Sequence, residues 1–488
     1  MKNTLIVLPN TIFEKSLEDI KKYKINRIMI IYDKYYFNKN QHKQKLALFF
    51  ASIEEYKSFL YKKIEDIEMV ECKEYKNEYI QVYKNAKYYI YDPLDKFIKR
   101  KYLKLISSIG GKDNLVFLCN KSIILNGNDL KHMYEDLIGE KKITNKKIFI
   151  RHADFYKKMR LKYNILLEKD ENPEGGAWSF DTMNRKKFET SYTEKDIYIN
   201  KTQYAIDACK TVEREFKNAN GNCNYLYYPS NFKSSKTLLT TFINFKLRNF
   251  GKYQDAMSSD VHSGEHANIS AIMNIGLLTP DFVINKILRY YYSLDKSKKK
   301  ELINSVEGIV RQILGWREYM RFVYYYFEKN INKNLYLDKI ADASVGKIHK
   351  SWYDGTTGIY IFDNTIRKIV ETGYAHHIER LMVLNNVLIM YGFSRKEINK
   401  WFMSMFVDSY DWVMTGCLSM NHNSLNNDIK YMSRVYIAGD NYIKKMSNYR
   451  DKNSMEVFNS LFKSFTKKHS ILLTKDYNLA SYISRFVK

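Results

Sequence analysis

Short apolar runs at 5–8, 27–32, 88–91 and 115–118 alternate, over the first 135 residues, with helical periods at 43–62 and 94–109. Strands alternating with amphipathic helices predict a parallel sheet built from β-α-β units. No GxGxxG and no GxxxxGK(S/T) opens any of these helices, so this half carries neither a dinucleotide nor a P-loop fingerprint. From 139 to 147 the chain turns polar and Lys-rich, a short helix follows, and Asn172-Pro173-Glu174-Gly175-Gly176 is turn chemistry. Beyond it the period is helical almost throughout, at 236–250, 268–276, 280–292, 306–327, 364–391 and 395–413. The expected organisation is an α/β parallel-sheet (Rossmann-like) domain over 1–135, a connection over 136–200 and an all-α domain over 201–488. No fixed period repeats, which excludes a solenoid.

Charge changes this picture most. The 488 residues hold 80 Lys and Arg against 54 Asp and Glu, a net +26, interleaved with 42 Tyr and 27 Phe. A run such as Lys99-Arg100-Lys101 is a solvated face, but the global excess favours nucleic acid over a small neutral substrate. With 45% hydrophobic residues the chain has ample material for packed cores, which excludes wholesale disorder. The five cysteines show no CxxC spacing, which argues against a disulfide framework and against a zinc or iron–sulfur site, and points to a reducing compartment. The N-terminal apolar run is too short for a signal peptide and no stretch approaches a membrane span. The expectation is a soluble, intracellular monomer, in the cytoplasm or wherever its nucleic-acid partner is held.

Three places could carry chemistry. Within 366–382, Ile366, Ile369, Val370, Gly373, Tyr374, His377, Leu381 and Met382 form one apolar face, and His377 lies on it. It is either a hydrogen-bonded core imidazole or a general acid or base that substrate reaches. On 306–327, Arg317 shares a stripe with Val306, Val310, Ile313 and Met320, so its guanidinium turns inward and must meet an anion, either Glu318 or Asp408 in an ion pair or a bound anionic cofactor. Arg311, Gln312 and Trp316 beside it add donors and a large plane. His262-Ser263-Gly264-Glu265-His266 pairs two histidines four apart but lacks the Glu after the first that a zinc protease needs, so a loop suited to phosphate contacts is expected there and no metal.

Six blocks, in order over roughly 150–450, resemble the photolyase/cryptochrome superfamily, specifically its bacterial-type, photolyase-related branch associated with (6-4) photoproduct repair. They are Asn172-Pro173-Glu174-Gly175-Gly176-Ala177-Trp178-Ser179-Phe180-Asp181 with Asn184-Arg185, Phe250-Gly251-Lys252-Tyr253-Gln254-Asp255-Ala256-Met257, and Asn274-Ile275-Gly276-Leu277-Leu278-Thr279-Pro280. The others run from Val306 through Arg311-Gln312-Ile313-Leu314-Gly315-Trp316-Arg317 to Tyr319, then Tyr374-Ala375-His376-His377-Ile378-Glu379-Arg380-Leu381-Met382, and Asp408-Ser409-Tyr410-Asp411-Trp412-Val413.

The resemblance implies an antenna domain, a long linker and an all-α domain that folds FAD into a U shape, with light-driven electron transfer to a flipped-out lesion in ultraviolet-damaged DNA. By resemblance Tyr253, Gln254, His266, Ser270, Asn274, Arg311, Trp316, Arg317, Asn386 and Asp408 line the FAD pocket, and Met414 occupies the position facing flavin N5, where relatives carry a polar side chain. His377, with His376 beside it, matches the histidine that serves proton transfer to the lesion. Trp401 matches the inner step of an aromatic electron relay, with Tyr353 and Trp352 outside it. The branch's cluster cysteines are replaced here by Ile361, Arg450, Asn453 and Glu456, so no iron–sulfur cluster is expected. An antenna pigment of lumazine or deazaflavin type is implied, although Pro9-Asn10-Thr11-Ile12 departs from the family's segment. The expected function is photolyase repair with (6-4) lesions favoured; the alternatives are a cyclobutane-dimer photolyase, a cryptochrome-like photoreceptor without repair, and a basic nucleic-acid-binding protein that has lost flavin.

Overall fold

The structure is a computed structural model that describes residues 2–139, 148–194, 197–332, 340–425, 429–474, 480–481 and 483–484. Most of the Lys-rich stretch expected at 139–147 lies outside these residues. Strands β1 (Lys2–Val7), β2 (Arg27–Ile31), β3 (Glu68–Cys72), β4 (Ala86–Tyr91) and β5 (Leu115–Leu118) form one parallel sheet in the order β3-β2-β1-β4-β5. In its centre Leu5 pairs with Ile28 on one side and Tyr89 on the other. All three are buried, as a sheet covered on both faces requires. The pattern reading missed β3, because Glu-Met-Val-Glu-Cys is a half-exposed edge strand with two charges.

The strand order reverses between β1 and β4, which makes a crevice at the carboxyl ends of the strands, where open α/β sheets bind ligands. Here the chain's own residues pack it. The Phe13 ring lies 4.8 Å from Tyr91, the Ile12 N–H donates to the Ile275 carbonyl at 2.9 Å, and the Asn10 amide donates to the Pro93 carbonyl.

The second half is helical, and several helix starts are fixed by side chains that take up otherwise orphaned N–H groups. Asn231 caps Phe232–Phe245, Asp295 caps Lys296–Val310, and Ser394 caps Arg395–Met405 by accepting from Glu397 N. Pro280 occupies the first turn of Pro280–Tyr292, where its missing N–H costs nothing.

Four expected helices are divided or widened. The 236–250 stretch is two helices, Phe232–Phe245 and Leu247–Tyr253. The 306–327 stretch is one long rod, Lys296–Val310 then Glu318–Asn332, widened to π-type turns over Arg311–Arg317. The 364–391 helix does not exist as one element. Helix Tyr360–Thr372 stops at Gly373, whose φ of +68° ends it, and a second, π-widened segment covers Glu379–Asn385 before Asn386–Met390. His377 therefore belongs to the turn beyond the break rather than to the apolar face of Ile366 and Ile369. The 395–413 stretch breaks too, because Phe406 is extended and 406–410 forms a loop between Arg395–Met405 and Asp411–Ser419. The two breaks meet, with Val407 N–H donating to the Gly373 carbonyl at 3.0 Å.

The two halves interlock. Helix Lys43–Tyr61 packs on Gln203–Glu215, and its first residues, Lys43, Gln44 and Lys45, are buried. Gln44 donates to the carbonyls of Asn222 and Tyr225, and Lys45 donates to the Ser409 carbonyl. His42 fills a socket between Gly221 and Gly373, where a Cβ on Gly221 would fall on the imidazole. From the other side, Glu318 accepts the N–H groups of Ile124 and Leu125.

Two apolar cores result. One spans the sheet, the connection and the long rod; the other gathers around Trp401, Phe402, Val387 and Phe458. The seam between them is where a cavity opens.

Candidate functional site

The cavity holds about 600 Å³, with an adjoining inner lobe of about 290 Å³. That is the size range of ligand sites. Both π-widened segments line it: Arg311, Trp316 and Arg317 from one, Leu381 and Met382 from the other. Such turns are frequent at functional sites because the extra residue per turn rotates side chains off the regular helical stripe. Much of the lining is apolar, with Ile378, Leu381, Met382, Trp412, Val413, Val435 and Ile437; Arg311 and Arg317 also line it. Arg185, Arg434 and Lys445 add three further cations to the lining.

Arg317 is the informative cation. Its Nε and Nη2 donate to the Ser122 carbonyl at 3.1 and 2.7 Å and its Nη1 to Asn274 Oδ1 at 2.5 Å, while its guanidinium lies over the Trp412 ring. Neither ion pair considered from sequence forms: Glu318 is spent on backbone N–H groups, and Asp408 pairs with Arg380 at 2.7 and 3.2 Å. Burial pulls Arg317 down to about 10, which leaves it charged at neutral pH. A half-buried cation on a cavity wall, held by neutral acceptors, is the feature a phosphate would satisfy. Arg311 is already committed, to Glu307 and Asp181 at 3.1 Å each.

Of the residues singled out from sequence, Gln254, Ser270, Asn274, Arg311, Trp316, Arg317, His377 and Asp408 line the main cavity, and His266, His376 and Met414 line the inner lobe. Ser270 Oγ donates to Asp408 Oδ2 at 2.6 Å, and Asn274 Nδ2 to the Asp408 carbonyl at 2.9 Å. Trp316 has one face stacked on His152 at 3.8 Å between centroids, so its other side is available to the cavity. Tyr253 and Asn386 stand outside the lining: the Tyr253 hydroxyl donates to Glu189, and the Asn386 amide donates to the Met382 and Ala438 carbonyls. Trp401 is fully buried behind Phe402, which lines the inner lobe, and its indole N–H donates to the Trp352 carbonyl at 2.8 Å. Tyr353 follows Trp352 in the short helix Ser351–Asp354 and is half-buried. Ile361, Arg450, Asn453 and Glu456 fall in or beside the helices Tyr360–Thr372 and Lys452–Lys468.

The histidines separate by environment. His377 is 38% exposed, and its Nε2 lies 3.3 Å from Asp255 Oδ1. His376 is buried, and burial, then the neighbouring His266 and His377, holds it well below the usual imidazole range. Burial and His377 take His266 down to about 3. His262, four residues before His266, contacts Thr372 Oγ1 at 3.3 Å. Sequence reasoning passed over Asp255, Arg185, His152, Arg434 and Lys445. The first two sit inside the quoted blocks, beside Gln254 and Asn184, whereas no local signal marks the others.

This donor set suits a dinucleotide: an apolar wall with Trp412 and Trp316 for planar rings, and Arg317 with Ser270 for a pyrophosphate. Comparison with known proteins agrees. Residues 5–228 match the family model of deoxyribodipyrimidine photo-lyase-related protein, and residues 310–445 that of the FAD binding domain of DNA photolyase. A (6-4) photolyase of Agrobacterium fabrum is 29% identical over 343 residues, 67% of this chain but only 64% of that relative's length. An uncharacterized protein of Acanthamoeba polyphaga mimivirus is 35% identical over 121 residues, 25% of this chain and 85% of its own. Among solved structures, a bacterial class III photolyase from Agrobacterium tumefaciens superposes with a TM-score of 0.56 at 12% identity, covering 99% of this chain and 98% of that one. A Synechocystis cryptochrome gives 0.54 at 12% identity over 97% and 88%. These two likenesses are of fold.

Proposed function

Because this chain belongs to the photolyase/cryptochrome superfamily, we propose that it is an FAD-dependent, light-driven DNA repair enzyme that reverses ultraviolet pyrimidine photoproducts, (6-4) lesions in preference to cyclobutane dimers. The observation that carries the reading is His377, half-exposed on the wall of the cavity and held by Asp255 at 3.3 Å, with cations around it. Arg317, Ser270 and Asn274 would hold the cofactor's pyrophosphate side, and Trp316, Leu381, Met382 and Trp412 its ring side. When bound and reduced, FAD supplies the photoexcited electron that the protein's own side chains cannot.

The chain's residues do the rest. Arg185, Arg434 and Lys445 meet phosphates flanking an extruded base, and the apolar wall accepts the base itself. Asp255, its Oδ1 3.3 Å from His377 Nε2, positions the ring that exchanges the proton with the lesion. His376, buried and neutral, does not compete for that proton.

The test is an absorption spectrum followed by blue-light incubation with matched oligonucleotides carrying either lesion. Flavin bands with restoration of the (6-4) product support the reading, and restoration of the cyclobutane dimer alone moves the lesion assignment. Flavin bands with neither restored make the protein a photoreceptor, and a protein that takes up no FAD ends the proposal.

Two further outcomes are expected. Trp401→Phe slows photoreduction of oxidised flavin by at least tenfold in transient absorption, because phenylalanine is much harder to oxidise than indole, yet leaves repair by chemically pre-reduced enzyme within about twofold. Unchanged photoreduction removes Trp401 from the relay. Three phosphate contacts by the rim cations give a roughly 40-fold loss of DNA affinity between 50 and 200 mM salt; a flat salt profile contradicts the placement of DNA on that rim.

A further inference from the structure

We propose that His266, His376 and His377 form a binding site for a divalent transition-metal ion of the zinc type. One ring nitrogen from each lies within 4.8 Å of those of the other two, the one such group of three metal-ligating residue types among the described residues. The ring centroids are 5.0, 5.9 and 6.0 Å apart. His266 comes from the loop before helix Ser270–Ile275, and His376 and His377 from the turn that Gly373 opens. Only the meeting of those two loops creates the group.

What distinguishes the cluster from three packed imidazoles is the ring side that each turns to an oxygen. His266 Nε2 lies 3.1 Å from the Gln254 carbonyl, His377 Nε2 3.3 Å from Asp255 Oδ1, and His376 Nε2 3.8 Å from Glu379 Oε2. Carbonyl and carboxylate acceptors on one ring nitrogen hold the tautomer that leaves the other as a lone pair, which is how outer-sphere groups orient metal-bound histidines. His376 Nε2 and Glu379 Oε2 are both buried without a hydrogen-bond partner. Closing the 3.8 Å gap as His376 turns toward an ion would satisfy both. Its Nδ1 accepts a long hydrogen bond, 3.4 Å, from the Ile378 N–H, which an ion bound there would replace.

Three imidazoles select Zn²⁺, Co²⁺ or Ni²⁺ over Mg²⁺ or Ca²⁺, which prefer oxygen. With metal–nitrogen bonds of about 2.0–2.1 Å, tetrahedral ligand nitrogens sit about 3.4 Å apart, so the cluster contracts by roughly 1.5 Å at its widest. Occupancy takes the His377 lone pair, so metal and lesion repair exclude one another; that consequence rests on the repair reading, and the metal site itself does not.

The test titrates FAD-loaded, chelator-stripped protein with cobalt chloride and follows the visible d–d bands of four-coordinate cobalt, then displaces it with zinc. One equivalent is expected, with affinity lowered at least 100-fold in His376→Ala and about 10–100-fold in Asp255→Asn, which preserves the ligands and the packing. Absence of the bands, or undiminished affinity in both variants, overturns the proposal. Protein that takes up cobalt but, while metal-free, restores no lesion keeps the site and sinks the repair reading; protein that restores (6-4) lesions and takes up no cobalt does the reverse.

Discussion

His377→Ala, loaded with reduced flavin, is expected to lose (6-4) repair by at least 100-fold while binding lesion-bearing DNA within a few-fold of the parent. General acid–base catalysis by a placed side chain is worth about 10²–10⁴ in rate. Deleting an imidazole that is 38% exposed creates no buried cavity, so fold and flavin uptake should survive. The environment favours His377 over His376 for the role we propose. A proton donor must be able to hold a proton before it gives one, and His376 sits where burial and two neighbouring rings disfavour the cation, whereas His377 has the Asp255 carboxylate in reach. His376→Ala should therefore act on pocket shape and flavin affinity more than on proton delivery. Single-turnover repair under blue light reads this directly, and a His377→Ala enzyme that repairs at the parental rate would falsify the assignment.

Asp408→Ala should cost about 3–5 kcal/mol of stability, because it strands Arg380 in the interior. The pair is bidentate at 2.7 and 3.2 Å, Asp408 also accepts from Ser270, and the Arg380 guanidinium lies 4.3 Å from the Phe406 ring centroid. Neither charge can retreat to water without opening the loop at 406–410. The double replacement Arg380→Met with Asp408→Leu removes both charges and should recover most of the loss, since the penalty belongs to the uncompensated ion. A pH signature accompanies it. Burial alone would raise the Asp408 carboxyl, but Arg380 and the hydrogen bonds from Arg380 and Ser270 hold it below the ordinary aspartate value. A folded-state value below the unfolded one makes the contribution complete above about pH 4 and lost as pH falls through the folded value. Denaturant unfolding of the parent should therefore show an acid-side decline that Asp408→Ala lacks; equal slopes would contradict the pairing.

The sheet and most helices were legible because their periods are local. Leu5, Ile28 and Tyr89 announce central strands, and helix Lys43–Tyr61 ends within a residue of its expected bound. β3 was not legible, since an edge strand with charges lacks a strict two-residue period. The breaks at Gly373 and Phe406 were hidden for a different reason. Apolar residues on both sides keep a helical spacing, so pattern alone bridges them, and only the positive φ of Gly373 and the packing of Val407 against it separate the pieces. The same limit applies to the π-widened turns, whose composition is that of ordinary helix. In the site, the resemblance brought Arg317, Asn274, Ser270 and Asp408 to one cavity, whereas Asp255 beside His377, His152 under Trp316 and the union of His266 with His376 and His377 are tertiary facts with no spacing to betray them.

The socket that Gly221 and Gly373 form around His42 makes the two halves inseparable as parts. Gene fusion and domain exchange presuppose a clean cut, yet a chain begun at 201 would leave the Asn222 and Tyr225 carbonyls and the Ser409 carbonyl without their donors Gln44 and Lys45, and Glu318 facing no N–H. Such a fragment should express as aggregate. A chimaera between relatives must instead inherit 41–45 and 220–225 together, as a lock travels with its key.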